Sequence, residues 1–184
     1  LKGSAGGGGL VGSCMGTDAN PVSINIENCE VSNNYIASGR SGDGAGALLG
    51  FMYNSSANAF PVVTAKNCIV YGNELAATHA TNSGGCFAIA GTLNSKNCKF
   101  TNCIFLDAFP FPSGANIRKA EVYENVYTDA DLSTVGVTYA EGTIMSIGDT
   151  APIGATGKAA MPLLDWDVWF ATTSYPVLRA FHNI

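Results

Sequence analysis

The sequence predicts an all-β fold, a right-handed parallel β-helix with irregular loops and a C-terminal cap. Three observations lead to this prediction: a repeated Asn-Cys motif, apolar residues that alternate with polar ones, and turns rich in glycine and asparagine. Alternation with period two is typical of strands, because successive side chains of a strand point to opposite faces. Short strands that recur along the chain build a solenoid in which each repeat stacks on the previous one.

The Asn-Cys motif occurs in segments 26–34, 65–73 and 95–103, which share the pattern Asn-Cys-x-apolar-x-x-Asn/Cys. Neighbouring strands of a sheet lie ~4.8 Å apart. We therefore expect Asn28, Asn67 and Asn97 to form a ladder of side-chain amides at one corner of the solenoid. Asparagine suits such a corner because it tolerates left-handed backbone dihedrals.

The cysteines that follow these asparagines, Cys29, Cys68 and Cys98, are predicted to point inward as a column of small side chains. Buried cysteine packs in this way without forming a disulfide. A reduced internal stack is the favoured interpretation, and one or two disulfides are the alternative. A metal-binding or catalytic role is disfavoured, because no Cys-x-x-Cys pair accompanies a histidine.

A second motif alternates with the first at 9–12, 47–50 and 88–91, where a glycine-rich approach precedes a short apolar segment. Segments 32–45 and 50–62 are predicted to be loops, because they are polar or rich in glycine.

The chain of 184 residues is predicted to form one domain, residues 1–184, excised from a larger protein. Repeat rungs are predicted over 8–108, and a degenerate rung with loops over 109–160. The last segment, 161–184, contains Trp166 and Trp169 and is expected to cap the open end of the solenoid.

Charge and composition exclude some classes of partner. The net charge is -5 and the nine basic residues are scattered, which argues against nucleic acid. No run of 18 apolar residues occurs, so no membrane span is expected. A charged fraction of 12% with abundant glycine suits a secreted or cell-surface protein, and we expect a monomer.

Aromatic residues are the main candidates for a binding site, because sugar rings stack on aromatic faces while polar neighbours bond their hydroxyl groups. Tyr71 is expected to point outward from a strand, in register with Ser32 and Thr101. The full set of predicted ligand-binding residues is Tyr71, Tyr35, Tyr53, Tyr123, Tyr127 and Trp169.

A catalytic site is not expected. A glycoside hydrolase needs two carboxylates ~5–9.5 Å apart. The outward position after the repeated cysteine holds Glu30, Ile69 and Lys99, so no pair of carboxylates is predicted there. Asp129 and Asp131 are weak candidates for a calcium site, although a solvated turn explains them better. No other cofactor is expected.

The Gly9-Leu10-Val11-Gly12 segment, together with the alternating Asn-Cys motif, resembles the GLUG repeat of bacterial surface proteins. Trp169 and the Tyr175-Pro176-Val177-Leu178 segment are similar to the sequence that often follows such repeats. The later repeats lack the first glycine. In size and fold the chain also resembles the β-helical carbohydrate-binding modules of gut bacterial xylanases, carbohydrate-binding module family 89, although it carries no motif diagnostic of that family.

The second resemblance implies a non-catalytic module that binds a plant cell-wall polysaccharide, with xylan favoured and a catalytic domain in the same parent chain. A β-helical stalk or adhesin segment of a bacterial surface protein is the alternative that the GLUG resemblance implies. A fragment of a polysaccharide lyase or hydrolase is the third hypothesis.

Overall fold

The structure, a computed structural model, describes residues 2–3, 7–17, 20, 22–38, 45–54, 62–77, 86–87, 90–106, 117–129, 141–147, 154–173 and 175–183. These residues are mostly strands, and their main sheets are parallel and curled. The prediction of an all-β fold is thus confirmed in its coarse form. Within the described segments, no helix is both long and apolar enough to cross a lipid bilayer.

The strands form successive layers, which we call rungs. The first rung contains β2 (Gly7–Gly8), β3 (Val11–Gly16), β4 (Ser23–Glu27), β5 (Glu30–Ser32) and β6 (Tyr35–Ser38). The second repeats this order with β7 (Ala45–Gly46), β8 (Leu49–Asn54), β9 (Val62–Lys66), β10 (Ile69–Tyr71) and β11 (Glu74–Ala77). The two rungs match strand for strand.

The third rung consists of β12 (Cys86–Phe87), β13 (Ala90–Thr101) and β14 (Ile104–Phe105). The fourth is the single long strand β15 (Ile117–Thr128), and the fifth is β16 (Glu141–Ser146). A short strand β1 (Lys2–Gly3) pairs with β6 beside the first rung. The C-terminal segment contains α1 (Gly154–Ala160), β17 (Trp169–Phe170), β18 (Val177–Leu178) and α2 (Arg179–His182).

Equivalent strands of successive rungs pair in parallel. β4 pairs with β9, β9 with β13, and β13 with β15. Around the corner, β5, β10, β14 and β15 pair in the same order. In the first three rungs the register of these strands aligns one residue with one residue, so that each position of the repeat becomes a column, whereas β15 pairs with β13 and with β16 through register shifts.

The asparagine ladder is present, but its third member is Asn102 and not Asn97. Asn67 Nδ2 donates to Asn28 Oδ1 at 2.9 Å, and Asn102 Nδ2 donates to Asn67 Oδ1 at 2.6 Å. All three have a positive φ of 53–55°, which asparagine tolerates better than most residues. Each backbone N–H also donates to the next strand, as Asn28 N does to Lys66 O at 3.0 Å.

The third rung contains two Asn-Cys pairs five residues apart, and the ladder contains the second, so the prediction of Asn97 is wrong. In the structure Cys98 pairs with Val63 inside the strand, and Phe100 pairs with Ala65. Phe100 is fully buried and joins the inward column of Ala65. The deciding signal is therefore the apolar pair two and four positions before the asparagine, because Asn97 has the polar Ser95 two positions before it.

The cysteine column shifts in the same way and consists of Cys29, Cys68 and Cys103, all three of which are free thiols. Cys68 and Cys103 are fully buried, and their thiols donate to the carbonyls of Lys66 and Thr101 at 3.3 and 3.2 Å. Burial raises the pKa of the Cys103 thiol well above its ordinary value. A buried neutral thiol is a small apolar group with a weak donor, which fits a core column.

A second corner directly follows the short strands β5 and β10. Asn33 and Gly72 occupy it with φ of 54° and 64°, and a Cβ atom added to Gly72 would lie 2.8 Å from Asn33 Oδ1. Asn73 Oδ1 then accepts the backbone N–H of Asn34 at 3.2 Å. The motif therefore fixes two bends in each of the first two rungs.

The predicted loops are only partly loops. β6 lies within 32–45, and all of β8 except Leu49 falls in 50–62, while residues 39–44 and 55–61 lie outside the described part of the chain. The predicted glycine-rich approach has a steric reason at Gly9, where a Cβ would lie 2.1 Å from the Ala47 carbonyl oxygen. The apolar segment that follows is aligned as predicted, with Val11, Leu49 and Ala90 in register.

The inner core is filled by the inward columns of the rungs. One column contains Ile26, Ala65, Phe100 and Tyr123, which are at most 5% exposed. Phe100 and Tyr123 stack with ring centroids 5.5 Å apart. Stacking in register places these side chains above one another and removes their apolar surface from water.

The C-terminal segment packs on the outward face of β10, β14 and β15. Ile69, Ile104 and Tyr127 are in register on this face, and they are fully or almost fully buried. They form a second apolar cluster with Leu106, Met161, Leu164, Trp169 and Leu178. The segment therefore covers these outward apolar residues, and its role as a cap over the open end stays a prediction.

Two polar contacts fix the C-terminal segment on this face. Asp165 N donates to Asn102 Oδ1 at 2.7 Å, and Leu163 N donates to Tyr127 Oη at 2.9 Å. The segment thus binds the end of the asparagine ladder directly.

The ladder predicts a large stability difference between two asparagines. Asn102→Ala removes two side-chain hydrogen bonds in a buried corner and leaves alanine in a left-handed conformation, so we expect a loss of about 2–4 kcal/mol in the free energy of unfolding. The exposed Asn25→Ala is the matched control, with a change within about 0.5 kcal/mol. Urea denaturation measures both, and equal losses would refute the ladder.

Leu164 and Leu163 provide a matched pair in the C-terminal segment. Leu164 is 3% exposed in the outer cluster, whereas Leu163 is 57% exposed. We expect Leu164→Ala to lower the unfolding free energy by about 2–5 kcal/mol and Leu163→Ala to change it by less than about 0.5 kcal/mol. Thermal unfolding of the two variants tests this, and a small effect of Leu164→Ala would mean that the segment does not pack on the sheet.

Candidate functional site

A polar groove lies on the outward face of β4, β9 and β13. It has a volume of about 560 Å³, within the usual range for ligand sites. Two outward columns supply its polar side chains: Asn25, Thr64 and Lys99 in one, and Glu27, Lys66 and Thr101 in the other. Because the strands stack, these groups recur along the groove at intervals of ~4.8 Å.

The charged residues of this face form two ion pairs. Lys66 Nζ lies 3.7 Å from Glu27 Oε1, and Lys99 Nζ lies 3.1 Å from Glu124 Oε2. All four side chains are 49–59% exposed, so each pair contributes little to stability. The hydroxyl of Thr64 donates to Asn25 Oδ1 across the first two strands.

The two groove-face carboxylates are too far apart for glycoside hydrolysis. Glu27 and Glu124 occupy the same column, with Lys66 and Thr101 between them. Three strand spacings amount to ~14 Å, whereas paired catalytic carboxylates lie ~5–9.5 Å apart. The face can therefore offer hydrogen bonds and charges to a ligand without supplying this catalytic pair.

Tyr71 lies at the neighbouring face, beside the C-terminal segment. Its ring packs on Tyr175 with centroids 4.6 Å apart, and its hydroxyl donates to Glu30. Tyr71 is in register with Ser32, as predicted, but not with Thr101, which pairs with Lys66. Burial first, and then the hydrogen bond to Glu30, raise the pKa of Tyr71 above its ordinary value.

Three of the predicted ligand-binding aromatics are buried. Tyr123 and Trp169 are 0% exposed and Tyr127 is 1% exposed, so these rings have no free face for a sugar. Tyr123 and Tyr127 lie four residues apart on β15 but do not share a face. Asn125, with φ 53°, bends the strand between them, so Tyr123 joins the inner core and Tyr127 the outer cluster.

The remaining predicted residues differ in position. Tyr35 is 55% exposed at the start of β6, on a different sheet from the groove. Tyr53 belongs to β8, and its side chain lies outside the described part. Asp129 lies directly after β15, whereas its suggested calcium partner Asp131 is not among the described residues. The described residues contain no group of three or more His, Cys, Asp or Glu that could hold a metal ion.

Sequence reasoning missed the groove residues Asn25, Thr64 and Thr101. They are small polar residues on alternating positions of predicted strands, a pattern shared by any solvated sheet face. The correct register of the third rung would have identified them. Only that register aligns Lys99 with Thr64 and thereby brings the polar residues of three strands into one groove.

Comparisons of the chain with protein-family models, with curated proteins and with solved structures found no match.

The raised pKa of Tyr71 predicts a specific loss of stability at alkaline pH. A group whose pKa is raised by folding contributes stability below its unfolded pKa and loses it as the pH rises through the folded pKa, here above ~10. We expect Tyr71→Phe to lose less stability than the wild type over this range, with Tyr35→Phe as the control. Urea unfolding at a series of pH values measures this, and parallel curves for Tyr71→Phe and the wild type would contradict it.

Proposed function

We propose that this chain is a non-catalytic module that binds a plant cell-wall polysaccharide, with xylan favoured, along the groove of β4, β9 and β13. The observation that carries the proposal is the groove itself, in which amide, hydroxyl and charged side chains repeat from strand to strand. A linear polymer presents hydroxyl groups at regular intervals, so a row of donors and acceptors can bond several sugars at once.

The same proposal includes the architecture and context of the chain. The curled parallel sheet is completed as a right-handed β-helix, and the protein is secreted or attached to the cell surface. It acts beside a catalytic domain of the same parent chain. The parallel stacking of rungs and the low fraction of charged residues support this.

Tyr71 and Tyr175 offer a second, smaller contact at the neighbouring face. Both rings are half-buried against each other, and Glu30 and Ser32 lie beside them. The edge of this pair, rather than a flat free face, is what a sugar would meet.

A pair of isosteric substitutions tests the groove. We expect Thr64→Val with Thr101→Val to weaken xylan binding about tenfold, because each lost hydrogen bond contributes ~0.5–1.5 kcal/mol. Glu74→Gln, on β11 of another sheet, is the matched control. Affinity gel electrophoresis against xylan, β-glucan, xyloglucan, mannan and pectin measures binding, and reducing-sugar release is assayed in parallel.

The outcomes separate the hypotheses. Retardation by xylan that the double substitution removes, without sugar release, supports the binding module. Absence of retardation by every polymer refutes it, and sugar release would favour the enzyme hypothesis.

A stalk or adhesin segment is the second candidate, and one observation favours it. Asn28 Nδ2, at the first-rung end of the ladder, has no hydrogen-bond partner among the described residues. A further rung stacked on β4 and β5 would supply an acceptor there, as expected of a longer repeat array.

A further inference from the structure

We infer that the groove selects a polysaccharide whose neutral backbone carries uronic acid groups, and that Lys66 and Lys99 recognise the carboxylates. This inference rests on the proposed function and specifies the ligand of the same groove. In this inference the lysines bind the carboxylates by ionic interactions, whereas the threonine and asparagine side chains form hydrogen bonds with the neutral sugars.

The groove concentrates basic residues although the chain is acidic. Its lining contains two lysines and one glutamate, and Glu124 lies beside the lining as the partner of Lys99, so each lysine has one carboxylate partner. The chain as a whole has a net charge of -5 with only nine basic residues. Two of these nine therefore face the same groove from adjacent strands.

The lysines are available to a ligand because their present partners are weakly held. Both pairs are exposed to solvent, at N–O distances of 3.7 and 3.1 Å, and such pairs contribute little free energy. A ligand carboxylate can replace Glu27 or Glu124 at small cost. An ammonium group suits this exchange, because it is a flexible point charge with three donors.

The net negative charge of the chain limits how much negative charge the ligand can carry. A uniformly charged polyanion would be repelled by the overall negative charge. A mainly neutral polymer with scattered acid groups avoids this repulsion while still satisfying the two lysines. Hydrogen bonds from Asn25, Thr64 and Thr101 then bind the neutral residues between the acid groups.

The test compares glucuronoxylan with the same polymer after carboxyl reduction, which converts the uronic acids into neutral sugars. We expect Lys66→Gln with Lys99→Gln to weaken binding of glucuronoxylan about three- to tenfold, the effect of two exposed charge pairs. Binding of the reduced polymer should not change. Lys158→Gln, an exposed lysine on α1 outside the groove lining, is the matched control.

For Glu27→Gln we expect the opposite effect on binding, and a purely structural role of the ion pair would not produce it. It frees Lys66, so binding of glucuronoxylan should strengthen, while binding of the reduced polymer stays the same. Sodium chloride should weaken the first interaction and leave the second nearly unchanged. Affinity electrophoresis and isothermal calorimetry measure both polymers, and circular dichroism confirms that each variant is folded.

The outcomes distinguish this inference from the proposed function. Equal binding of both polymers, unaffected by the lysine and glutamate substitutions, overturns the inference and leaves the polysaccharide module intact. Failure to bind either polymer refutes both. Tighter binding of dextran sulfate than of glucuronoxylan overturns the carboxylate assignment, because it would indicate general anion binding.

Discussion

The rest of the structure depends on the hydrogen-bonded row of Asn28, Asn67 and Asn102. Each residue has a left-handed backbone that turns the chain, and each amide joins its own rung to the next. Because the row fixes which residues lie above one another, it also determines the inward columns and the outward ones. A shift of the register by one residue would exchange the two faces.

The fold class could be predicted from the sequence because period two and repeated corners are local patterns. The register of the third rung could not be predicted as safely, since Asn97-Cys98 and Asn102-Cys103 are both followed by an apolar residue two positions after the cysteine. The residues before each asparagine separate them, because Phe100 precedes Asn102 by two positions and pairs with Ala65 in the inner core. The motif alone therefore does not fix the register, which also depends on long-range packing.

The candidate site was predicted less well, for a related reason. Tyr123 and Tyr127 are predicted ligand contacts on the degenerate rung, but β15 bends at Asn125, and one ring lies in the inner core and the other in the outer cluster, where both are buried. Burial on the outward side of β10, β14 and β15 depends on the C-terminal segment, more than 30 residues away from Tyr127 in sequence. Ile69 and Ile104 show that side chains on a sheet face turned away from the inner core can still be buried from solvent.

The row of amides also has a direction, and this constrains how the repeat array can change in length. All its donors point toward the first rung, and its last acceptor, Asn102 Oδ1, already receives the N–H of Asp165. A duplicated rung inserted between Asn28 and Asn67 would extend the row and keep every contact of the C-terminal segment. The contact of Asp165 with Asn102 fixes the C-terminal segment on the third rung, while the fourth and fifth rungs stack beyond that rung. Rungs added on the N-terminal side of Asn67 therefore leave this contact unchanged.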